Sequence, residues 1–200
     1  MARFINRGWY ERPVYYKSNR FSVVGPGADV PIPSYGSSFD YELELGFVIG
    51  KKGANIKAEK AEAHIFGYTL FNDFSARDAQ LKEMKMRLGP AKGKDFDGGN
   101  AMGPALVTKD EFEGAIALEA RVNGELWSRG STEEMHWSFE EIIEAISKDE
   151  TLYPGEFIGS GTCSGREGRG CGLEMGRFLK KGDRVELWAE GIGTLSNRVV

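Results

Sequence analysis

Asp40-Tyr41-Glu42-Leu43-Glu44-Leu45-Gly46-Phe47-Val48-Ile49-Gly50 alternates acidic and apolar residues, then runs apolar into a Gly50-Lys51-Lys52-Gly53 turn. Strict alternation is the signature of a strand. It places Tyr41, Leu43, Leu45 and Phe47 on one face and Asp40, Glu42 and Glu44 on the other. Same-face neighbours on a strand lie roughly 7 Å apart. Two carboxylates at that spacing repel by about 2 kcal/mol at an effective dielectric of about 20. A chain that keeps them side by side leaves that face in water or neutralises it with a cation. On the alternation alone, a solvated acidic face is the first expectation and a cation site the second.

Strand patterns continue on either side of this stretch. Val14-Tyr15-Tyr16-Lys17 and Phe21-Ser22-Val23-Val24 read as short strands among the turn signals Arg12-Pro13, Gly25-Pro26-Gly27 and Pro31-Ile32-Pro33. Residues 57–63 read as a helical turn or two, and 64–73 as an apolar strand ending in polar residues. Ser75-Ala76-Arg77-Asp78 reads as a helix start, with Ser75 as N-cap and Asp78 as its capping-box partner. That helix should run past Leu81 and Met84 towards Leu88 and stop before Gly89-Pro90. Asn123-Gly124, between apolar runs at 116–122 and 125–127, is the strongest hairpin signal in the chain. Ser138 caps a second helix over 139–147, with Ile142, Ile143 and Ile146 on its apolar face, and 157–159 and 185–189 read as late strands. Strands outnumber helices without regular β-α-β alternation, which favours a mainly β or α+β architecture.

The 200 residues fit one domain with a sizeable core, and 40% hydrophobic with 28% charged residues is ordinary for a globular chain. A net charge of −4 argues against nucleic acid or an anionic membrane as the main partner. No apolar run approaches the roughly 20 residues of a spanning helix. Met1-Ala2-Arg3-Phe4-Ile5-Asn6-Arg7 lacks the apolar centre of a secretion signal, so the cytoplasm is the expected compartment. Cys163 and Cys171 have no nearby histidine to complete a zinc site and are expected as free thiols. The 27 glycines suit turns and bulges rather than a helical bundle.

Asp73 stands where an apolar strand runs into a helix, a usual place for a polar group to enter a site. Three carboxylates meeting there would suit a hard divalent cation, Mg2+ or Mn2+. Asp73 could equally bond the backbone amides of its own turn. His64 reads as a satisfied strand-end residue, and His136, beside Trp137, as a packing residue.

Asp40-Tyr41-Glu42-Leu43-Glu44-Leu45-Gly46, His64-Ile65-Phe66-Gly67-Tyr68, Asn72-Asp73-Phe74-Ser75-Ala76-Arg77-Asp78 and Lys94-Asp95-Phe96-Asp97-Gly98 together resemble the fumarylacetoacetate hydrolase family. Met102-Gly103-Pro104, Val122-Asn123-Gly124, Gly159-Ser160-Gly161-Thr162 and Glu190-Gly191-Ile192-Gly193 are similar to later family motifs in the same order. The resemblance covers roughly residues 12–199. It implies a mixed β-sheet roll with a few short helices. Residues 1–39 would be an N-terminal segment serving as lid or dimer contact, and 40–200 the catalytic part of one globular domain.

The resemblance further implies a divalent metal, Mg2+ or Mn2+, on Glu42, Glu44 and Asp73, holding a 2-oxo acid or 1,3-dicarbonyl substrate as a chelate. Gln80 and Thr162 match its substrate-binding glutamine and threonine, and Lys94 its active-site lysine. Glu174 resembles the late glutamate that orients a water-activating histidine, and a homodimer is implied as well. Residues 1–39 hold no histidine to pair with it. Hydrolysis of a C–C bond in an acylpyruvate-like substrate is the family's common activity and the first expectation. Decarboxylation, hydration or isomerisation of a 2-oxo acid needs less water activation and is the alternative. A non-catalytic 2-oxo acid binder and a chain lacking an upstream segment are the remaining readings. The charged, glycine-rich stretch 163–172, with Arg166, Glu167 and Arg169, is expected to be a specificity loop.

Overall fold

The computed structural model describes residues 7–87, 89–165 and 169–200. In chain order its strands begin with β1 (Val23–Val24), β2 (Asp29–Val30), β3 (Phe39–Asp40), β4 (Leu43–Ile49) and β5 (Gly53–Ala54). Next come β6 (Ile65–Asp73), β7 (Ser75–Ala76), β8 (Asn100–Thr108), β9 (Ala117–Val122) and β10 (Glu125–Ser131). The last are β11 (Thr151–Leu152), β12 (Phe157–Gly159), β13 (Arg184–Ala189) and β14 (Gly193–Val199). Four short α-helices interrupt them: α1 (Ala58–Ala61), α2 (Arg77–Lys85), α3 (Phe139–Ile146) and α4 (Gly172–Met175).

The strands build two five-stranded sheets, ordered β1-β8-β6-β4-β12 and β10-β9-β13-β14-β2, plus the small ribbons β11-β5 and β3-β7. One core lies between the sheets: Leu43, Leu45 and Leu70 of the first meet Leu118, Ala120, Leu187 and Leu195 of the second. A second cluster seats Ile142, Ile143 and Ile146 of α3 against Phe47, Ile49 and Ile65, at the far ends of β4 and β6. This is the mainly β, α+β architecture that the pattern of strands predicts and the mixed β-sheet roll with few short helices that the resemblance implies. No helix among the described residues is long and apolar enough to cross a membrane.

Two local expectations hold in detail. Asn123 and Gly124 take φ values of 51° and 82°, and Val122 pairs with Glu125 across the tight turn. At α3, Ser138 accepts the Glu141 amide while the Glu141 carboxylate accepts the Ser138 amide, a complete capping box. Ser138→Ala should therefore cost about 1 kcal/mol in urea unfolding; no change would mean that packing of the isoleucines alone holds the helix.

Four expectations give way to tertiary contacts. The opening stretch is not one strand: β3 pairs with β7, Phe39 opposite Ala76 and Asp40 opposite Ser75, before β4 begins at Leu43. Its acidic side is not solvated either, since Asp40, Glu42 and Glu44 are 0%, 8% and 3% exposed. Ser75 is not an N-cap. It lies in β7 and donates its hydroxyl to the Asp73 carbonyl, so α2 starts at Arg77 without a side-chain cap. Asp78 is taken instead by the Ser37 amide and hydroxyl. Residues 14–17 form no strand, because this segment bonds to side chains rather than to a neighbouring strand, Tyr16 donating to Asp73 and Lys17 to Glu150. Leu88 lies outside the described residues, as do Met1 to Asn6 and Arg166 and Glu167 of the expected specificity loop.

Candidate metal centre

β4 and β6 are antiparallel neighbours, Leu43 opposite Asn72 and Glu44 opposite Phe71, so Asp73 at the end of β6 comes level with the start of β4. Glu42, just ahead of β4, bridges to Cys171 and donates its backbone N–H to the Asn72 side-chain oxygen (3.1 Å). The result is a cluster in which Glu42, Glu44 and Asp73 each place a carboxylate oxygen within 4.8 Å of the others.

Two buried cations serve this cluster. Lys94 Nζ reaches Glu42 Oε2 at 2.6 Å and Asp73 Oδ2 at 2.9 Å, and donates to the Asp73 carbonyl at 3.2 Å. Arg77 donates from Nε to Asp40 (2.7 Å) and from Nη1 to Glu42 (2.7 Å) and Gln80 Oε1 (3.0 Å). Glu44 receives the Gly161 amide at 3.1 Å, and the Tyr16 hydroxyl donates to Asp73 Oδ2.

The electrostatics follow from this wiring. Burial alone would raise Glu42, but Lys94 and Arg77 outweigh it and hold the carboxyl at about 2. Glu44 has no such partner: burial first, then Glu42 and Asp73, push its carboxyl well above the usual range. Burial likewise raises Asp73, against the pull of Lys94. For Lys94, burial works against the charge, yet Asp73 and Glu42 overcome it and keep the ammonium protonated. Burial and Asp73 raise the Tyr16 phenol, which keeps its proton.

Four buried carboxylates, Asp40, Glu42, Glu44 and Asp73, thus stand against two buried cations, Arg77 and Lys94. With all four ionised, the cluster is short of two positive charges, the charge of one divalent ion. Asp73 Oδ1 is buried without a hydrogen-bond partner among the described residues, a rare and costly state for a carboxylate oxygen. Three hard oxygen donors suit Mg2+ or Mn2+, with substrate or water filling the other positions. The residues present fit such an ion.

Of the residues singled out in the sequence, Glu42, Glu44, Asp73 and Lys94 converge, and Gln80 joins them through Arg77. Glu174 and Thr162 make no hydrogen bond to the carboxylates among the described residues. Glu174 binds the Gly170 amide (2.6 Å) and the Ser164 hydroxyl (3.2 Å), and the Thr162 carbonyl accepts from Ser164 at 3.5 Å. Both histidines are committed elsewhere. His64 Nδ1 meets the Lys51 carbonyl at the other end of β6 from Asp73, and His136 packs among the rings of Trp9, Tyr10 and Trp137. Sequence reasoning missed Arg77 and Tyr16. Arg77 lies inside a motif already in view, and four acids near one strand were a signal that cations must follow. No pattern in 14–17 marked Tyr16.

The fumarylacetoacetate (FAA) hydrolase C-terminal family model matches residues 4–200. The chain is 40% identical over 192 residues to the oxaloacetate tautomerase YisK of Bacillus subtilis (strain 168), covering 94% of this chain and 62% of that protein. It is also 40% identical over 192 residues to the mitochondrial oxaloacetate tautomerase FAHD2A of Homo sapiens, covering 95% of this chain and 60% of that protein. Among solved structures, fumarylacetoacetate hydrolase from psychrophilic Exiguobacterium antarcticum superposes with a TM-score of 0.84 at 35% identity, covering 93% of this chain and 65% of that one. Fumarylpyruvate hydrolase from Pseudomonas aeruginosa, in complex with Mn2+ and pyruvate, gives a TM-score of 0.84 at 28% identity, covering 96% of this chain and 81% of that one. This chain spans about three-fifths of the length of those curated relatives, 62% and 60%.

Proposed function

This chain belongs to the fumarylacetoacetate hydrolase family, and from that premise we propose that it is a divalent-metal-dependent tautomerase of a 2-oxo dicarboxylic acid of the oxaloacetate type. One observation carries the reading: a carboxylate cluster short of two positive charges is lined by proton-bearing groups, Lys94 and Tyr16, while both histidines are engaged elsewhere. Likeness to proteins named oxaloacetate tautomerases supports it.

A Mg2+ or Mn2+ ion on Glu42, Glu44 and Asp73 would supply Lewis-acid polarisation of the substrate's 2-oxo and carboxylate oxygens. Tautomerisation itself moves one proton. A C–H bond at C3 breaks, an O–H bond at the 2-oxo oxygen forms, and no water is consumed. Lys94, held protonated by Asp73 and Glu42, is the fixed positive charge for the oxygen that gains electron density. Tyr16 keeps its phenolic proton and offers an O–H beside Asp73. Arg77 Nη2, buried and without a partner among the described residues, adds a donor for an anionic substrate. Gln80 is tied to Arg77 and would hold that guanidinium and the substrate together. The role of Tyr16 supports residues 1–39 as a lid over the site, and a homodimer remains part of the proposal.

A second reading, hydrolysis of an acylpyruvate C–C bond, has its own support in the likeness to a fumarylpyruvate hydrolase over 81% of that chain. Glu174 would then need a water-activating partner other than His64 or His136.

Decay of enol-oxaloacetate absorbance, with Mn2+ or Mg2+ and with chelator, tests the first reading beside an acylpyruvate cleavage assay. Metal-dependent acceleration that vanishes in Asp73→Ala is expected. Cleavage of the acylpyruvate without tautomerisation would turn the assignment to the second reading, and neither activity would end both. Mn2+ at about 100 times its Kd should also raise the melting temperature by about 5–10 °C, a shift that Asp73→Ala should lose.

A further inference from the structure

Asp40 is the carboxylate of the opening stretch that the metal centre leaves aside. It is 0% exposed, and both of its oxygens are taken. Oδ1 accepts the Gly172 amide at 2.7 Å and its neighbour's amide, Tyr41, at 2.9 Å. Oδ2 accepts Arg77 Nε at 2.7 Å and the Leu173 amide at 3.0 Å. Four donors on one buried carboxylate leave it no freedom to turn, because rotation breaks bonds on both oxygens at once.

The donors come from places far apart in the chain. Arg77 opens α2 and passes its Nη1 to Glu42 and Gln80. Gly172 and Leu173 open α4, whose Glu174 receives the Gly170 amide. Gly172 is there because nothing larger fits: a Cβ would lie 2.6 Å from Asp40 Oδ1 and would also strike the Arg177 carbonyl. An unbroken line of hydrogen bonds therefore runs from Leu173 through Asp40 and Arg77 to Glu42.

We propose that Asp40 is a positioning residue. It aims the Arg77 guanidinium at Glu42 and ties the start of α4 to the metal centre, so one side chain sets both. The catalytic consequence rests on the reading of Glu42 as a ligand in a working site; the hydrogen-bonded joint does not. Asp40→Asn isolates the effect. Asn has the same size but carries an NH2, and whichever way the amide turns, a donor then meets a donor. Glu42, Glu44 and Asp73 are untouched.

The experiment uses the full chain and measures kcat, KM and the Mn2+-induced melting shift for Asp40→Asn, alone and in an Arg77→Lys background. The melting shift should survive. In the parent background kcat should fall about 10–100-fold with KM changed far less, whereas in Arg77→Lys the same substitution should cost less than about twofold. Equal losses in both backgrounds, or no loss in the parent, overturn the proposal. Nitrogen-15 NMR of the parent supplies a readout that needs neither turnover nor a folded variant. Arg77 Nε–H and the Leu173 amide should both exchange slowly and in step. Leu173 exchanging at an open-loop rate while Arg77 stays protected overturns the joint, and it does so even if the tautomerase reading has failed.

Discussion

Glu44→Gln should melt above the parent protein in chelator and below it in saturating Mn2+. The parent site holds Glu44 among Glu42 and Asp73 with no cation of its own, and its carboxyl is pushed well above 4.5. Between 4.5 and that raised value the folded chain keeps a proton that the unfolded chain releases, so metal-free stability falls as pH rises through the window. Glu42 runs the other way. Its carboxyl, held at about 2, contributes stability that is complete above 4.5 and is lost only as pH falls towards 2. The slope that falls as pH rises above 4.5 therefore comes from Glu44 and not from Glu42. Gln keeps an oxygen for the Gly161 amide and removes the titration, so the slope should flatten and the metal-free protein should gain stability. The Mn2+ shift should disappear with the ligand. Melting curves from pH 5 to 8, with chelator and with Mn2+, check both halves; a less stable variant in chelator would mean that the parent cluster is balanced without an ion.

That expectation shows what local pattern could reveal and what it could not. Period-two alternation over 43–49 marked β4, because a strand's two faces are written in adjacent residues. Asn123-Gly124 and Ser138 with Glu141 were equally plain, since turn and cap chemistry acts within a few residues. The fate of the acidic face was not local. Whether Glu42 meets water or a cation depends on Arg77 and Lys94, 35 and 52 positions downstream, which only the strand pairing and the following loop bring inward. Ser75 failed for the same reason, its capping preference overruled by the pairing of β3 with β7. The ordered motifs grouped the candidate ligands Glu42, Glu44 and Asp73 with Lys94, but motif order says nothing of which contacts hold them. Asp40 was set aside as a non-ligand, which its four donors are consistent with, yet its bond to Arg77 is visible only in three dimensions.

Lys94→Met should separate the site's two uses of that ammonium by moving affinity and turnover in opposite directions. Met keeps most of the buried stem and drops the charge. Lys94 is 1% exposed and neutralises Glu42 and Asp73 together, so without metal the variant leaves Asp73 buried without its cation and Glu42 with Arg77 alone, and should lose about 3–5 kcal/mol. That is a large part of the stability of an ordinary domain, about 5–15 kcal/mol, and urea unfolding in chelator will register it directly. A divalent ion answers the same carboxylates, so Mn2+ should restore most of the loss. Mn2+ should also bind more tightly than to the parent, where the ammonium occupies oxygens of Glu42 and Asp73 and repels a second cation. Turnover should nevertheless fall by about 100- to 1,000-fold, because the charge fixed beside the reacting oxygen is gone. Calorimetric titration with Mn2+ and the enol decay assay measure the two effects on one preparation. Tighter Mn2+ with undiminished turnover would leave Lys94 a structural counter-charge and move the search for the catalytic donor to Tyr16 and Arg77.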